Sequence, residues 1–413
     1  MGKLRGNAIV GQSGGPTAAI NATLSGVIRG ALASDAIDKI YGARNGIEGM
    51  LRGDAVDLTD VFSEDTEEKL ALLEKTPAAA LGSCRKKLPD PSDPASAETY
   101  EKLIGLFRAF NIRYFFYIGG NDSMDTVAKL SAYTASHDYE MRIMGVPKTI
   151  DNDVMGTDHT PGFGSAAKYI AVTMQEILRD CAVYTVPAVT IVEIMGRDAG
   201  WLTASAALTR KCGIEPDLIY LPERVFDLEK FFGDVKKALE KHPNVVVAAS
   251  EGIRFADGTY VGESSQSGAV DIFGHKYLSG TGKALEIAVK NKLGCKVRSI
   301  ELNLMQRCSS HIASLTDINE SIMVGSAAVS AAVDGVSGRM MTILRKGDGE
   351  YSSYASHEDI NKIANLVKTV PDEFINEEGN GITDACVDYL LPLIEGESTP
   401  VFEHGLAKHF VIR

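Results

Sequence analysis

Two short segments of the chain contain most of the residue types that could carry out chemistry. Residues 119–123 are Gly-Gly-Asn-Asp-Ser, and residues 147–153 are Pro-Lys-Thr-Ile-Asp-Asn-Asp. Each follows an apolar run typical of a buried strand, at 113–118 and 142–146. Because ligands bind beyond the carboxyl ends of the strands in open α/β sheets, we expect both segments to face one site. Exposed backbone, a lysine, hydroxyls and carboxylates suit the transfer of a phosphoryl group with Mg²⁺.

Asp151 and Asp153 are the strongest candidates for direct roles in such a reaction. In an extended backbone their side chains would face opposite ways, which would let them take different roles. A carboxyl group ordinarily has a pKa of about 4, so both are expected to be ionised at neutral pH. One could then bind Mg²⁺ while the other accepts a proton from a hydroxyl, with Lys148 and Thr149 beside them to contact phosphate. The alternative is a solvated turn, which Asp-Asn-Asp sequences often form.

A glycine loop at residues 11–17, Gly-Gln-Ser-Gly-Gly-Pro-Thr, lies between a predicted strand and a predicted helix. Amides at a helix N-terminus bind anions, and glycines let a phosphate approach the backbone. Gly14 and Gly15 are therefore candidate phosphate-binding residues. The loop matches neither of the common glycine-rich nucleotide motifs, so an ordinary tight turn explains it equally well.

Charged residues also follow other predicted strands or lie close to their ends. They are Arg85, Arg197, Glu251, Arg298 and Arg307. Each by itself would ordinarily be a solvated surface group. Together they bring several basic residues to strand ends in a chain whose net charge is −13. That pattern fits a sugar phosphate with two anionic ends, which local basic groups must attract against the average field of the protein.

Apolar runs and helical stretches alternate along most of the chain. Strands are predicted at 7–10, 39–43, 113–118, 142–146, 189–194, 218–221, 245–250, 297–304 and 339–344, and helices at 17–33, 98–110, 123–137, 164–181, 198–211, 281–293 and 319–333. This alternation predicts α/β architecture with βαβ units around parallel sheets. Residues 52–80, 88–97 and 255–280 are predicted to be surface insertions.

Length and composition restrict the class of protein. A chain of 413 residues favours two domains, and 45% hydrophobic with 23% charged residues is typical of a globular enzyme. No apolar run is long enough to span a bilayer, and the N-terminus does not resemble a signal peptide, so we expect a cytoplasmic protein. The net charge of −13 argues against nucleic acid or acidic membranes as partners. The six cysteines form no Cys-x-x-Cys motif and are expected to be free thiols.

With these motifs in order, the chain resembles the phosphofructokinase family, and within it the short pyrophosphate-dependent branch. The matching motifs are the glycine loop with Gly14 and Gly15, Gly-Ser-Cys-Arg at 82–85, the segments 119–123 and 147–153, and Met-Gly-Arg at 195–197, followed by Glu251 and Arg307. The resemblance implies two Rossmann-like α/β domains with mainly parallel sheets and an active site in the cleft between them. Residues 1–162 with about 307–360 would bind the phosphoryl donor, and 163–306 with 361–413 the sugar phosphate.

The resemblance also implies roles for individual residues. Asp151 would take the proton from the 1-hydroxyl of fructose 6-phosphate, Thr149 would contact the transferring phosphate, and Arg85 would offset its developing charge. The implied sugar-binding residues, besides Thr149 and Asp151, are Met195, Gly196, Arg197, Glu251, Arg298 and Arg307. The implied donor-binding residues are Gly14, Gly15, Gly120, Asn121, Asp122, Ser123 and Lys148. Mg²⁺ would be bound by Asp153, with Asn121 and Asp122 as further candidate ligands.

Two positions distinguish the donor. ATP-using relatives have glycine where Asp122 stands and commonly where Lys148 stands. A carboxylate would occupy the nucleotide volume and repel an α-phosphate, whereas a lysine supplies a cation to a donor that lacks nucleotide contacts. Asn121 departs from the family, which often has a metal-binding aspartate there. Leu304 replaces a polar sugar contact, and Ala188 replaces an arginine that reaches a neighbouring subunit in ATP-using relatives.

The resemblance implies a reversible, Mg²⁺-dependent transfer from pyrophosphate to fructose 6-phosphate, giving fructose 1,6-bisphosphate and phosphate, in a homodimer or homotetramer. One alternative keeps the fold and uses ATP as the donor. Another acceptor, such as sedoheptulose 7-phosphate, is also open. A non-catalytic regulatory subunit of the same fold is the alternative from a different class, and Asn121 is the feature that motivates it.

Overall fold

The computed structural model describes residues 3–263, 280–347 and 349–412. Its strands are β1 (Gly6–Gln12), β2 (Ile37–Ala43), β3 (Ala55–Asp57), β4 (Ile112–Gly119), β5 (Arg142–Pro147), β6 (Ala188–Ile194), β7 (Leu218–Tyr220), β8 (Asn244–Ser250), β9 (Lys296–Glu301), β10 (Arg339–Arg345), β11 (Ser353–Asp359), β12 (Phe402–Glu403) and β13 (Leu406–Ala407). Its α-helices are α1 (Ile20–Leu32), α2 (Gly46–Arg52), α3 (Leu58–Val61), α4 (Thr66–Glu74), α5 (Ala97–Ala109), α6 (Asn121–Ala135), α7 (Phe163–Cys181), α8 (Trp201–Ala204), α9 (Leu228–Lys241), α10 (Thr281–Leu293), α11 (Met305–Cys308), α12 (Leu315–Val333) and α13 (Asp384–Leu390).

Two sheets organise these elements. The larger has the order β11-β10-β5-β4-β1-β2-β3, and only its two edge pairs, β10 with β11 and β2 with β3, are antiparallel. The smaller has the order β7-β8-β6-β9 and is parallel throughout. In the larger sheet Gln12 pairs with Ile118 and Gly119 pairs with Pro147, so three strands end side by side. Their following loops therefore lie next to one another.

The strands of the larger sheet are apolar because helices cover both faces. From residue 114 to residue 118, β4 is fully buried, which is typical of a central parallel strand. One face packs against α1 and α12 and the other against α5 and α6. The smaller sheet has its own two cores, one of them built with α7 and residues 370–393. At the end of the described chain, Phe410 and Ile412 pack against the larger sheet.

The predicted alternation of strands and helices is confirmed, with two corrections in the second half. The helix expected at 198–211 is a single α-helical turn, α8, followed by a 3-10 helix at Ser205–Cys212. The strand expected at 297–304 ends at Glu301, and the short helix α11 follows it. Residues 206–208 are packed in the core built with α7, and such tertiary packing overrides local propensity.

The prediction that residues 52–80 form a surface insertion is wrong. This segment contains β3, α3 and α4, and Phe62, Leu70 and Leu73 are buried in the core. Its acidic residues lie mainly on the outer face and obscure the apolar positions in the sequence. Within 88–97, Leu88 is buried and Pro94–Ser96 forms a 3-10 turn before α5. Most of the expected insertion at 255–280 lies outside the described residues.

None of the helices within residues 3–263, 280–347 and 349–412 has the length and apolar character that a membrane span requires.

Candidate active site

A cleft of about 480 Å³ opens where the carboxyl ends of strands from both sheets face each other. It is lined by Ser13, Gly14, Gly15, Pro16, Thr17, Arg85, Lys87, Gly120, Asn121, Asp122, Ser123, Lys148, Thr149, Ile150, Asp151, Asp153, Met195, Arg197, Asp198, Ala199, Glu251, Arg307, Asn365 and Val367. The structure thus brings together every predicted site residue except Gly196 and Arg298. These residues come from positions 13 to 367, so only the fold makes them neighbours.

The loop after β5 presents both candidate carboxylates to the cleft. Asn152 has a left-handed backbone with φ of 53°, and its side-chain oxygen accepts a hydrogen bond from the Thr160 amide at 3.1 Å. The expected extended backbone between Asp151 and Asp153 is therefore wrong, because this turn lets both side chains line the same cavity. Thr149 Oγ1 donates to Asp151 Oδ2 at 2.9 Å. Hydrogen bonds within the segment therefore help to fix the conformation of the loop.

Burial and close charges define the electrostatics of this loop. Burial raises the pKa of Asp153 to about 7, and the neighbouring charge of Asp151 adds to the shift. Burial lowers the pKa of Lys148, although the charges of both aspartates oppose the change. Burial and nearby Arg85 also lower the pKa of Arg307. Arg85, Lys148 and Arg307 thus place three basic groups in one small cavity, where an anionic ligand would offset their mutual repulsion.

The glycine loop leaves its backbone open beside these cations. Gly14 has φ of 79°, and a Cβ atom there would lie 3.0 Å from Lys148 Nζ. A Cβ atom on Gly15 would lie 3.4 Å from Arg307 Nη1. Ser83 Oγ donates to the Gly14 carbonyl at 2.6 Å and thereby holds the loop in place. Side chains at these glycines would fill the space beside the lysine and the arginine.

A correction concerns which helix points at the cleft. The first helix begins at Ile20, beyond the glycine loop, so the loop amides at 14–15 are not its first turn. Instead α6 begins at Asn121, with Gly120 as its N-cap, and both residues line the cleft. The positive end of this 15-residue helix favours an anion there.

Asp122 lies in the first turn of α6 and forms a salt bridge with Lys87, with Asp122 Oδ1 and Lys87 Nζ separated by 2.7 Å. Both residues line the cleft, and both are partly exposed to solvent. Lys87 is not among the site residues predicted from the sequence. Its pairing with Asp122 depends on contact between two distant loops, for which the sequence carries no local signal.

The smaller sheet supplies the opposite wall. The Met195 amide donates to Gln306 Oε1 at 3.2 Å, and the Gly196 amide donates to Glu251 Oε1 at 3.3 Å. Burial raises the pKa of Glu251 to about 8. Arg197 Nε is buried and has no hydrogen-bond partner among the described residues, so it retains a donor for a ligand oxygen.

Two residues that were predicted to bind the sugar phosphate, Gly196 and Arg298, do not line the cleft of a single chain. Gly196 supports it from behind, and its backbone φ of 137° favours glycine. Arg298 is exposed on β9, the edge strand of the smaller sheet, and is not among the residues that line the cleft. Its expected contact with a sugar phosphate therefore stays a prediction. Asn365 and Val367 line the cleft without any sequence motif to indicate them.

The donor set is compatible with Mg²⁺. Asn121 Oδ1 is buried without a hydrogen-bond partner in the described structure, and the carboxylates of Asp122 and Asp153 line the same cleft. Mg²⁺ is usually bound by one or two carboxylates together with water and substrate phosphates. No group of three or more His, Cys, Asp or Glu side chains that could bind a metal is found in the described ranges. An ion here would therefore depend on ligand oxygens.

Comparison with known proteins gives the family. The family model described as Phosphofructokinase matches residues 7–332. The chain belongs to the phosphofructokinase family. A pyrophosphate–fructose 6-phosphate 1-phosphotransferase from Halomonas elongata is 42% identical, with 97% of this chain and 95% of that protein covered. The protein of the same name from Methylococcus capsulatus is 41% identical, with coverages of 98% and 96%.

The fold agrees with this assignment. The crystal structure of a pyrophosphate-dependent phosphofructokinase from Nitrosospira multiformis superposes with a TM-score of 0.87 at 38% identity, covering 98% of this chain and 96% of that one. The predicted phosphofructokinase fold and the resemblance to the pyrophosphate-dependent branch are therefore confirmed. The roles of individual cleft residues remain predictions.

Proposed function

We propose that this phosphofructokinase transfers a phosphoryl group from pyrophosphate to the 1-hydroxyl of fructose 6-phosphate. The products are fructose 1,6-bisphosphate and phosphate, and the reaction is reversible. The observation that carries the proposal is the near full-length identity of 41–42% to proteins named for this activity. The joint presence of Asp122 and Lys148 in the cleft supports it. A cytoplasmic homodimer or homotetramer remains a prediction.

Asp151 is proposed as the base. Its Oδ2 already accepts the hydrogen bond from Thr149, which leaves Oδ1 to accept the proton of the sugar hydroxyl. Arg85 and Lys148 would hold the phosphoryl group and offset its developing negative charge. Proton removal and charge stabilisation would then take place within one cavity.

Asp153 is proposed to hold Mg²⁺, with Asn121 and Asp122 as further oxygen donors. The ion, when bound, neutralises charge on the pyrophosphate oxygens. Burial raises the pKa of Asp153 to about 7, and repulsion from the neighbouring carboxylate of Asp151 adds to the shift. A nearby cation would relieve that repulsion and favour the ionised form.

The choice of donor is proposed to rest on the wall formed by Asp122. Lys87 holds this carboxylate at the edge of the cleft, in the volume that a nucleotide would need. At about 4 Å, like charges in partly solvated surroundings repel by roughly 1–4 kcal/mol, which is sufficient to disfavour an α-phosphate. Pyrophosphate lacks that group and gains the cation of Lys148.

Initial velocities with fructose 6-phosphate and Mg²⁺ test the function, with pyrophosphate compared against ATP. We expect rapid turnover with pyrophosphate and little with ATP. Preference for ATP would overturn the donor assignment, and activity with neither would favour another acceptor or a non-catalytic subunit. In the double variant Asp122→Gly/Lys148→Gly, pyrophosphate activity should fall sharply. Unchanged pyrophosphate kinetics in that variant would refute the roles given to these two residues.

A further inference from the structure

Residues 365–370, in the connection that follows β11, pack against the loop that carries the two aspartates. Val367 forms an isolated antiparallel bridge with Val154, and the Lys368 amide donates to the Asp153 carbonyl at 2.8 Å. Asn365 and Val367 also line the cleft. A segment more than 200 residues away in sequence thus packs against the outside of the loop that follows β5 and carries Asp151 and Asp153, called the aspartate loop below.

The side chain of Lys368 makes the most specific of these contacts. Its Nζ donates to Asn152 Oδ1 at 3.2 Å, to the Thr157 carbonyl at 3.2 Å and to the Asp158 carbonyl at 2.6 Å. An ammonium group has three N–H donors, so all three are used within the aspartate loop and the residues that follow it. A lysine tied in this way has little freedom to act elsewhere.

Asn152 links these contacts to the chemistry. It is fully buried between Asp151 and Asp153, and its left-handed backbone sets the direction of both neighbouring side chains. Its Oδ1 accepts hydrogen bonds from Lys368 Nζ and from the Thr160 amide. Loss of the lysine would remove one of the two donors that fix this turn.

The same segment also contacts the opposite wall of the cleft. The Lys368 carbonyl accepts a hydrogen bond from Trp201 Nε1 at 3.0 Å, and the Trp201 ring centroid lies 5.2 Å from Lys368 Nζ. Glu223 Oε1 accepts hydrogen bonds from the Gly200 amide at 2.8 Å and from the Val370 amide at 2.9 Å. Main-chain hydrogen bonds therefore connect residues 365–370 to the smaller-sheet side, whereas all three hydrogen bonds of the lysine side chain go to Asn152 and to the carbonyls of residues 157 and 158.

We propose that Lys368 is a positioning residue for phosphoryl transfer: its ammonium group fixes the Asn152 turn and so directs Asp151 and Asp153 into the cleft. This inference rests on the proposed function, because it assigns the lysine to the alignment of the proposed base and metal ligand. Since the hydrogen bonds of the segment to the sugar side come from its main chain, loss of the side-chain hydrogen bonds should affect the chemical step more than sugar binding.

Lys368→Met is the informative variant, because it keeps the length of the side chain and removes all three donors. We expect kcat with pyrophosphate and fructose 6-phosphate to fall roughly 10- to 100-fold, as small misplacements of catalytic groups do. The KM for fructose 6-phosphate should stay within about twofold, since Met195, Arg197 and the main-chain contacts are retained. The Mg²⁺ concentration for half-maximal velocity should rise.

Two further variants control this result. Lys368→Arg keeps a cation with several donors and should recover part of the lost kcat. Lys362→Met makes the same chemical change at an exposed position in the preceding residues, where Lys362 forms a salt bridge with partly exposed Glu358, and should leave kcat unchanged. Full kcat in folded Lys368→Met overturns the proposal. The proposal is also overturned if the KM for fructose 6-phosphate rises together with the loss of kcat in Lys368→Met and if Lys368→Arg recovers no kcat. That result would indicate a general loosening of the structure around the cleft.

Trp201 provides a readout that needs no turnover, because it is the single tryptophan of the chain. Lys368→Met removes the cation beside its ring, so the fluorescence of the variant should differ from wild type while Lys362→Met matches wild type. Unchanged emission in Lys368→Met overturns the inferred contact. Absence of wild-type turnover with pyrophosphate would instead overturn the proposed function, and the fluorescence would still decide whether the side chain occupies this junction.

Discussion

Asp151 and Asp153 differ because of what surrounds each of them. Thr149 donates a hydrogen bond to Asp151, whereas burial and the charge of Asp151 raise the pKa of Asp153 to about 7. A carboxyl group in this condition gains from a cation, while one that already accepts a hydroxyl hydrogen bond is suited to orient and accept another proton. The proposed division into a base and a metal ligand therefore rests on environment, because the two side chains are chemically identical.

Replacing Asp151 by asparagine tests the base. Asp151→Asn preserves the size of the side chain and removes its basicity, so kcat should fall by about 10²–10⁴-fold. The KM for fructose 6-phosphate should change much less, because the sugar-side wall is untouched. Steady-state kinetics with pyrophosphate measure both values. Asp35→Asn, at an exposed position far from the cleft, should behave as wild type, and near wild-type turnover of Asp151→Asn would reject the assignment.

Among the elements, helices α1 and α12 approach each other closely enough for their backbones to touch, within the core of the larger sheet. A Cβ atom on Gly26 would lie 2.2 Å from the Ile322 carbonyl oxygen, and one on Gly325 would lie 2.3 Å from the Thr23 carbonyl oxygen. The two backbones thus touch without side chains between them. This contact attaches α12, which follows the second group of strands in sequence, to the sheet that carries the donor side of the cleft.

Gly26→Ala should destabilise the protein. The new methyl group meets backbone, which cannot rotate away, so the helices must separate, at a typical cost of about 1–3 kcal/mol for overpacking. Thermal unfolding should show a lower midpoint. Gly105→Ala is the matched control, because Gly105 lies within α5 and a Cβ atom there meets nothing within 4 Å. That variant should be unchanged or slightly more stable, and equal midpoints for Gly26→Ala and wild type would refute the close contact.

In the molecule as a whole, a buried charged network joins the two sheets behind the cleft. His159 contacts Asp158 through Nδ1 at 2.8 Å and Glu320 of α12 through Nε2 at 2.6 Å. Arg345 of β10 donates to Asp158 Oδ1 at 2.8 Å, and Tyr389 Oη of α13 donates to the Asp158 carbonyl at 2.7 Å. Because α13 packs on the smaller sheet, the network connects both cores to the residues that follow the aspartate loop.

This network predicts a pH-dependent loss of stability in Glu320→Gln. Burial by itself would lower the pKa of His159, but the contacts with Asp158 and Glu320 outweigh burial and raise this pKa above its ordinary 6.5. Burial by itself would raise the pKa of Glu320, but the hydrogen bond and charge of His159 outweigh burial and lower this pKa below its ordinary 4.5. The histidine contribution is complete below pH 6.5 and is lost as the pH rises through its folded pKa, whereas the glutamate contribution is complete above pH 4.5 and is lost on acidification. The destabilisation should therefore be largest between those two values.

Thermal unfolding midpoints of wild type and Glu320→Gln across this pH range measure the effect. The difference should shrink as the solution is made alkaline. Glu240→Gln, exposed on α9, should show no such dependence. A difference that is the same in weakly acidic and alkaline solution would show that the ionised pair does not contribute as described.

Some of this architecture was readable from local patterns. The apolar runs before residues 119 and 147 predicted neighbouring parallel strands, and β4 and β5 end at Gly119 and Pro147. Parallel strands buried on both faces leave continuous apolar runs, so their signal is local. The segment 52–80 was misjudged because α3 and α4 are short and acidic outside, and their buried positions are recognised only against the core that covers them.

The sequence by itself determined the family, the α/β class and the residue types of the cleft, because motifs and strand periodicity are properties of contiguous residues. The tertiary structure alone decided that Asn152 turns both aspartates to one cavity, that Lys87 pairs with Asp122, and that Lys368 supports the aspartate loop. It also left Arg298 outside the cleft of its own chain. The contacts of Lys87 and Lys368 join residues tens to hundreds of positions apart, and their geometry depends on how the packed sheets bring their loops together.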